Sequence, residues 1–149
     1  MPEDQPSDDP RSIHVDEFLG HSPARVWRAL TDPDRLARWL MPNDFRPVLG
    51  HRFTFRTDPV PGTDFDGIVE CEVLALEPER LLTISWAGGA DVRTTVTWRL
   101  AAEGHGTRLF LDHEGFEPDD PGQQLARRIM GGGWRSRMFP ALAAVLADP

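Results

Sequence analysis

The sequence predicts an α+β fold in which a curved antiparallel sheet is covered by one long C-terminal helix. Three observations carry that reading. Apolar residues recur with a period of two between Val48 and Glu114 and with helical spacing between Pro121 and Leu146. The connections between the period-two segments are short, which makes those segments an antiparallel meander with one covered face. The helical segments fall outside the sheet region, in the order β-αα-β-β-β-β-β-α, so helices and sheet are segregated.

Ser12 to Leu19 reads as the first strand, with Ile13, Val15 and Glu17 on one side. After Gly20, Ser22-Pro23 supplies an N-cap followed by proline in the first helical position, opening a helix that buries Val26, Trp27 and Leu30. Thr31-Asp32-Pro33 repeats the signal for a second helix with Leu36, Trp39 and Leu40 inward, ending before Pro42. Gly50 to Arg56 alternates, with His51, Phe53 and Phe55 on one face. The segment Asp58 to Asp64 is a loop, and Asp66 to Leu76 a strand with Val69, Cys71, Val73 and Ala75 in phase. Turns at Pro78-Glu79-Arg80 and Gly88-Gly89 bound the strand Leu81 to Trp86. The next strand, Asp91 to Leu100, sets Val92, Thr94, Val96, Trp98 and Leu100 on one face. Gly104-His105-Gly106 turns the chain into the last strand, Thr107 to Glu114.

The terminal segment must cover that sheet. Leu125 and Ile129 stand one turn apart, and Trp134, Met138, Leu142 and Val145 continue past the glycines at helical steps. Gly131, Gly132 and Gly133 cost about 1 kcal/mol each against alanine, and an internal Pro140 about 3 kcal/mol. Burial of the large apolar side chains, about 2 kcal/mol each, outweighs that total. The expectation is therefore a helix that is bent or interrupted, with a cavity beneath the glycines beside Trp134 and Met138.

Composition excludes several function classes. The chain has 149 residues, enough for one ordinary domain, with residues 1–11 (MPEDQPSDDPR) reading as an acidic disordered tail and 12–149 as the domain. With 24 acidic against 16 basic residues, every one of them Arg, the net charge of -8 opposes nucleic-acid and anionic-membrane binding. Cys71 is the single cysteine, so no intrachain disulfide forms, in keeping with a cytoplasmic location. The five histidines show neither HxH nor HxxxH spacing, so neither a metal nor another cofactor is expected. Gly131-Gly132-Gly133 lacks the Lys-Ser/Thr of a phosphate loop, and no serine sits in a GxSxG elbow.

Five stretches carry a family resemblance: SPARVWRALTDPDRLARWL (Ser22 to Leu40), VLGHRFTF (Val48 to Phe55), DGIVECEVLALEPERLLTISW (Asp66 to Trp86), GTRLFLDHEGF (Gly106 to Phe116) and Gly133-Trp134. In this order the chain resembles the START/Bet v 1-like, or SRPBCC, superfamily, and within it the homologues of the heat-shock protein 90 ATPase activator. The resemblance implies a helix-grip fold with a cavity between sheet and C-terminal helix. It also implies members that variously bind apolar ligands or assist chaperones. Ser22, Pro23, Trp27, Asp32, Pro33 and Gly106 are explained by capping, turns and packing without a ligand. Pro140 and the three glycines depart from the family pattern.

The candidate ligand-binding residues are Trp39, Phe53, Phe55, Trp86, Leu109, Leu111, His113, Trp134 and Met138. His113 is in phase with Leu109 and Leu111 and is the candidate polar anchor, oriented by a carboxylate such as Asp112 or Glu114. The leading expectation is non-enzymatic binding of a small apolar or aromatic molecule by a monomer or homodimer. One alternative is an enzyme acting on a carbonyl or polyketide-like compound (cyclase, dehydratase or hydrolase), with His113 as acid or base. The other is an interaction protein with a chaperone as partner.

Overall fold

A computed structural model of the chain describes residues 9–89 and 92–148. The expected disordered tail falls mainly on residues 1–8, outside the described residues, as does Asp91 at the expected start of a strand. The elements are β1 (Ser12–Leu19), α1 (Pro23–Thr31), α2 (Pro33–Trp39), β2 (Arg52–Arg56), β3 (Ile68–Glu77), β4 (Leu81–Ala87), β5 (Arg93–Glu103), β6 (Gly106–Glu114), α3 (Pro121–Gly133), a π-helical turn (Trp134–Met138) and α4 (Phe139–Ala147).

All strands pair antiparallel in one sheet of order β1-β6-β5-β4-β3-β2. The meander from β3 to β6 follows from the short turns, the longer loop Thr57 to Gly67 joins β2 to β3, and β1 closes the far edge against β6. Alternation sets the covered face: Phe53 and Phe55, Val69, Cys71 and Val73, Leu82, Ile84 and Trp86, Val96 and Trp98, Leu109, Leu111 and His113 are all buried. In β3 the alternation stops where a register shift between Val73 and Ala75 inserts an extra residue. Leu74 is exposed, as its phase with Glu70 and Glu72 requires, and beyond the shift Leu76 packs against the core.

The caps are those the sequence specifies. The Ser22 hydroxyl accepts from the Arg25 amide, and the Asp32 carboxylate accepts from the Asp34 amide, each ahead of a proline in the first turn. Trp39 ties the two helices together by donating from Nε1 to the Ala29 carbonyl at 2.8 Å. Arg25 reaches the Leu146 carbonyl, 2.9 Å away, and so fastens α1 to the end of α4.

The terminal helix is interrupted, as the glycines and Pro140 require, and the interruption is one wide turn. The Phe139 amide bonds to the Trp134 carbonyl, five residues back, and Pro140, which has no N–H to offer, falls in the first turn of α4. The expected apolar face, however, splits in two. Trp134, Met138, Leu142 and Val145 are buried, whereas Leu125 and Ile129 stay 40 % and 44 % exposed. The step from Ile129 to Trp134 is five residues, about 140° around a helix beyond one full turn, so the two sets cannot face the same way. The glycines do not roof a void either. A Cβ on Gly131 would meet Ile13 and the Arg135 guanidinium, and one on Gly133 the Met138 methyl. Of the three, Gly131 is the one that lies against β1.

Gly132 is the exception, with open space where a Cβ would stand and an ordinary helical backbone. Gly132→Ala is therefore expected to stabilise the protein by about 0.5–1 kcal/mol. Gly106→Ala should do the reverse, because its Cβ would fall 2.4 Å from the Leu19 carbonyl oxygen of β1. Urea denaturation should show it costing about 1–3 kcal/mol.

Candidate functional site

The space between sheet and terminal helix has a filled half and an open half. The filled half lies under the π turn and α4. Trp134 packs edge-on to Trp98 at 6.0 Å and tilted on Trp86 at 5.7 Å, and Trp98 meets Trp39 edge-on at 6.4 Å. Phe45, Phe53 and Phe55 continue the array to Trp86 at centroid spacings of 5.1 to 5.5 Å.

At the centre of that array is His113, fully buried and hydrogen-bonded at both ring nitrogens. Trp134 Nε1 donates to His113 Nδ1 at 3.2 Å; an indole can only donate, so Nδ1 is the acceptor and the ring proton sits on Nε2. His113 Nε2 then donates to Thr94 Oγ1 at 2.8 Å, and Thr94 Oγ1 donates to the Trp86 carbonyl at 2.9 Å. Burial alone holds the imidazole down to a pKa of about 3, so the ring is neutral throughout the physiological range. The expected carboxylate partner is absent for a geometric reason. Asp112 and Glu114 flank His113 along the strand and project to the opposite face, where Asp112 pairs with His14 at 2.6 Å and Arg99 at 3.3 Å.

The open half is a cavity of about 440 Å³ between the N-terminal part of α3, the β2–β3 loop and the β4–β5 turn. Its inner wall is Val69, Trp86, Val92 and Phe116, all buried. The outer wall is Leu125, Ala126, Ile129 and Met130 from α3, and the mouth is bounded by Val60, Gly62, Thr63, Asp64, Phe65 and Asp120. Two local features shape that mouth. The Thr57 amide bonds to the Gly67 carbonyl at 2.8 Å, pinching the loop at its neck. There Gly67 has φ 92° and no room for a Cβ, which would lie 2.3 Å from the Thr57 carbonyl oxygen. Phe65 lies against Gly88 and Gly89, whose missing side chains admit its ring. Asp120 caps α3, its Oδ1 accepting from the Gly122 and Gln123 amides at 2.9 and 3.2 Å.

Of the nine candidate residues, Trp86 alone stands on the cavity wall. Trp39, Phe53, Phe55, Leu109, Leu111, His113, Trp134 and Met138 are brought together with it, but in the packed half. His113 touches the cavity only through its neighbours, its ring 4.8 Å from Phe116 and 5.5 Å from Trp86. Phe65 and Phe116 also line the cavity without having been candidates, as do Leu125 and Ile129, which the sequence places on the helix face that covers the sheet. For the last two, the five-residue step to Trp134 was the available signal. Burial pushes the Cys71 thiol up, aided by Asp44 and Glu70, so it offers no thiolate. Among the described residues no cluster of His, Cys, Asp and Glu could hold a metal ion, and no helix is long and apolar enough to cross a membrane.

A curved antiparallel sheet gripping an interrupted C-terminal helix, with a cavity left between them, defines an α+β protein of the helix-grip, SRPBCC type. Within that class, the chain belongs to the family described as activator of Hsp90 ATPase homolog 1-like protein, matched over residues 20–147. Protein MLL2253 from Mesorhizobium loti is 36% identical, with 92% of this chain and 97% of that one covered and a TM-score of 0.81. CalU16 from Micromonospora echinospora is 27% identical over 92% of this chain and 76% of its own, with a TM-score of 0.72. The Aha1 dimer from Colwellia psychrerythraea, 18% identical over 92% of this chain and 96% of its own, shares the fold at a TM-score of 0.73. No curated protein matches the chain.

The buried histidine makes stability depend on pH. Unfolded, His113 takes up a proton near its ordinary pKa of 6.5; folded, it resists until about 3. Its contribution is therefore complete above 6.5 and lost as the pH falls through that window, at up to about 1.4 kcal/mol per pH unit. His113→Gln, which leaves the Trp134 and Thr94 hydrogen bonds poorly matched, is expected to cost about 1–3 kcal/mol at pH 7. Between pH 7 and pH 5 the variant should lose about 2 kcal/mol less stability than the natural chain in urea denaturation.

Proposed function

We propose that the protein binds a small apolar or aromatic molecule in the cavity between α3 and the β2–β3 loop. The observation that supports this reading best is the cavity itself. Its volume of about 440 Å³ falls within the range of about 300–1,000 Å³ usual for small-molecule sites. Its walls are mainly aliphatic and aromatic, with polar groups gathered at the mouth. Leu125 and Ile129 add to the case, because large apolar side chains left half exposed along one helix face gain by being covered. Burial of those walls would supply affinity, and the few polar groups at the mouth would orient the ligand. Met130 adapts to irregular shapes.

The enzymatic alternative rested on His113 as acid or base, and the geometry does not favour it. Both ring nitrogens are engaged inside the protein, the ring stays neutral, and a wall of Trp86 and Phe116 separates it from the cavity. Cooperation with a chaperone has the family description behind it but no specific feature among the described residues.

N-phenylnaphthylamine, a neutral probe that brightens in apolar surroundings, should bind and quench tryptophan fluorescence through Trp86. Ala126→Trp, which fills the cavity from α3, is expected to weaken that binding at least about tenfold, or 1.4 kcal/mol. Equal affinity in a variant with an unchanged circular dichroism spectrum would place the probe elsewhere and remove the cavity from consideration.

A further inference from the structure

The charge around the cavity mouth narrows the ligand class further, on the reading that the cavity binds small molecules at all. Asp64 and Asp120 line it, and among the described residues no Arg or His does. The connections that frame the mouth carry the same sign. Thr57 to Gly67 contains Asp58, Asp64 and Asp66, Gly115 to Asp120 contains Glu117, Asp119 and Asp120, and neither contains a basic residue. In the adjoining groove Arg93 is accompanied by Asp64 and Glu70, so carboxylates outnumber the guanidinium there too.

An anionic ligand would need the N-terminus of α3, the local feature whose dipole attracts negative charge. That position is already taken. The Asp120 carboxylate accepts from the Gly122 and Gln123 amides, and the Gln124 amide is bonded to the Asp120 carbonyl at 2.9 Å. A carboxylate or sulfonate entering the mouth would meet fixed negative charge with no free helix dipole to offset it. A cation meets the opposite situation. Three aromatic residues, Phe65, Trp86 and Phe116, line the cavity, and the electron-rich faces of such rings favour a positive group.

We infer that the cavity selects organic amines over acids: a compact apolar or aromatic body against Trp86 and Phe116, with its ammonium at the Asp64–Asp120 mouth. The field of the mouth acts on ligands before contact as well as after, so the preference weakens as salt screens it.

The test uses three naphthalene probes of nearly equal size: naphthylmethylamine (cationic at pH 7), naphthalenemethanol (neutral) and naphthoate (anionic), titrated calorimetrically into the full chain. The amine is expected to bind at least about tenfold more tightly than naphthoate at low salt, with the alcohol between them. In Asp64→Asn/Asp120→Asn the amine-to-naphthoate ratio should shrink to about threefold or less, since asparagine keeps the helix cap while removing the charge. Naphthoate binding as tightly as the amine, or a ratio unchanged in the double variant, would overturn the inference while the alcohol's binding left the cavity reading intact. Failure of all three probes to bind would overturn both.

Discussion

The structure depends on one buried relay of hydrogen bonds. Running from Trp134 on the terminal helix through His113 on β6 and Thr94 on β5 to the Trp86 carbonyl on β4, it joins the helix to three adjacent strands without any ion. Each donor has its acceptor, so the desolvation cost that normally keeps histidine and threonine out of a core is offset. The relay also fixes the imidazole in one tautomer. A protonated ring would put two donors, His113 Nδ1 and Trp134 Nε1, face to face, which is the structural reason that protonation and folding oppose each other here.

Because Trp134 is held at that point, the aromatic side chains around it have one arrangement, and they fill the grip from α2 to the middle of the sheet. Trp98 shows how strongly packing dominates. Its Nε1 has no acceptor among the described residues, a cost of about 1–3 kcal/mol, yet the indole is wholly buried, edge-on to both Trp39 and Trp134. The helix is thereby pressed onto the sheet at its centre, and the wide turn ahead of Pro140 lets α4 continue toward α1 and α2. Toward its other end, α3 diverges from the strands and faces the β2–β3 loop instead. The apolar cavity lies at that end.

The strands and caps were legible in the sequence because burial of one sheet face imposes a period of two, and because Ser22-Pro23 and Asp32-Pro33 satisfy helix amides locally. The terminal helix was legible as a helix under strain from Gly131–Gly133 and Pro140. What the sequence could not show was where the strain would be absorbed, since a π turn depends on the fit of Trp134 and Met138 to the sheet. Of the nine candidate residues, only Trp86 lies on the wall of the proposed cavity. Large aromatics signal burial equally well whether they wall a cavity or fill one, so Trp39, Trp98 and Trp134 look alike on the page. Residues that do wall the cavity, such as Phe65 and Phe116, sit in or next to turns, where no periodicity marks them. Asp112 and Glu114 flank His113 in sequence, yet the pleat turns them away from it.

Fluorine NMR of the protein labelled with fluorotryptophan, titrated with N-phenylnaphthylamine, tests most directly whether the working volume lies beside α3 rather than within the aromatic array. The Trp86 resonance should shift with probe concentration while those of Trp39 and Trp98 stay in place. Movement of Trp39 or Trp98 with a stationary Trp86 would contradict it, because the probe would then have entered the half of the grip that the protein's own side chains fill.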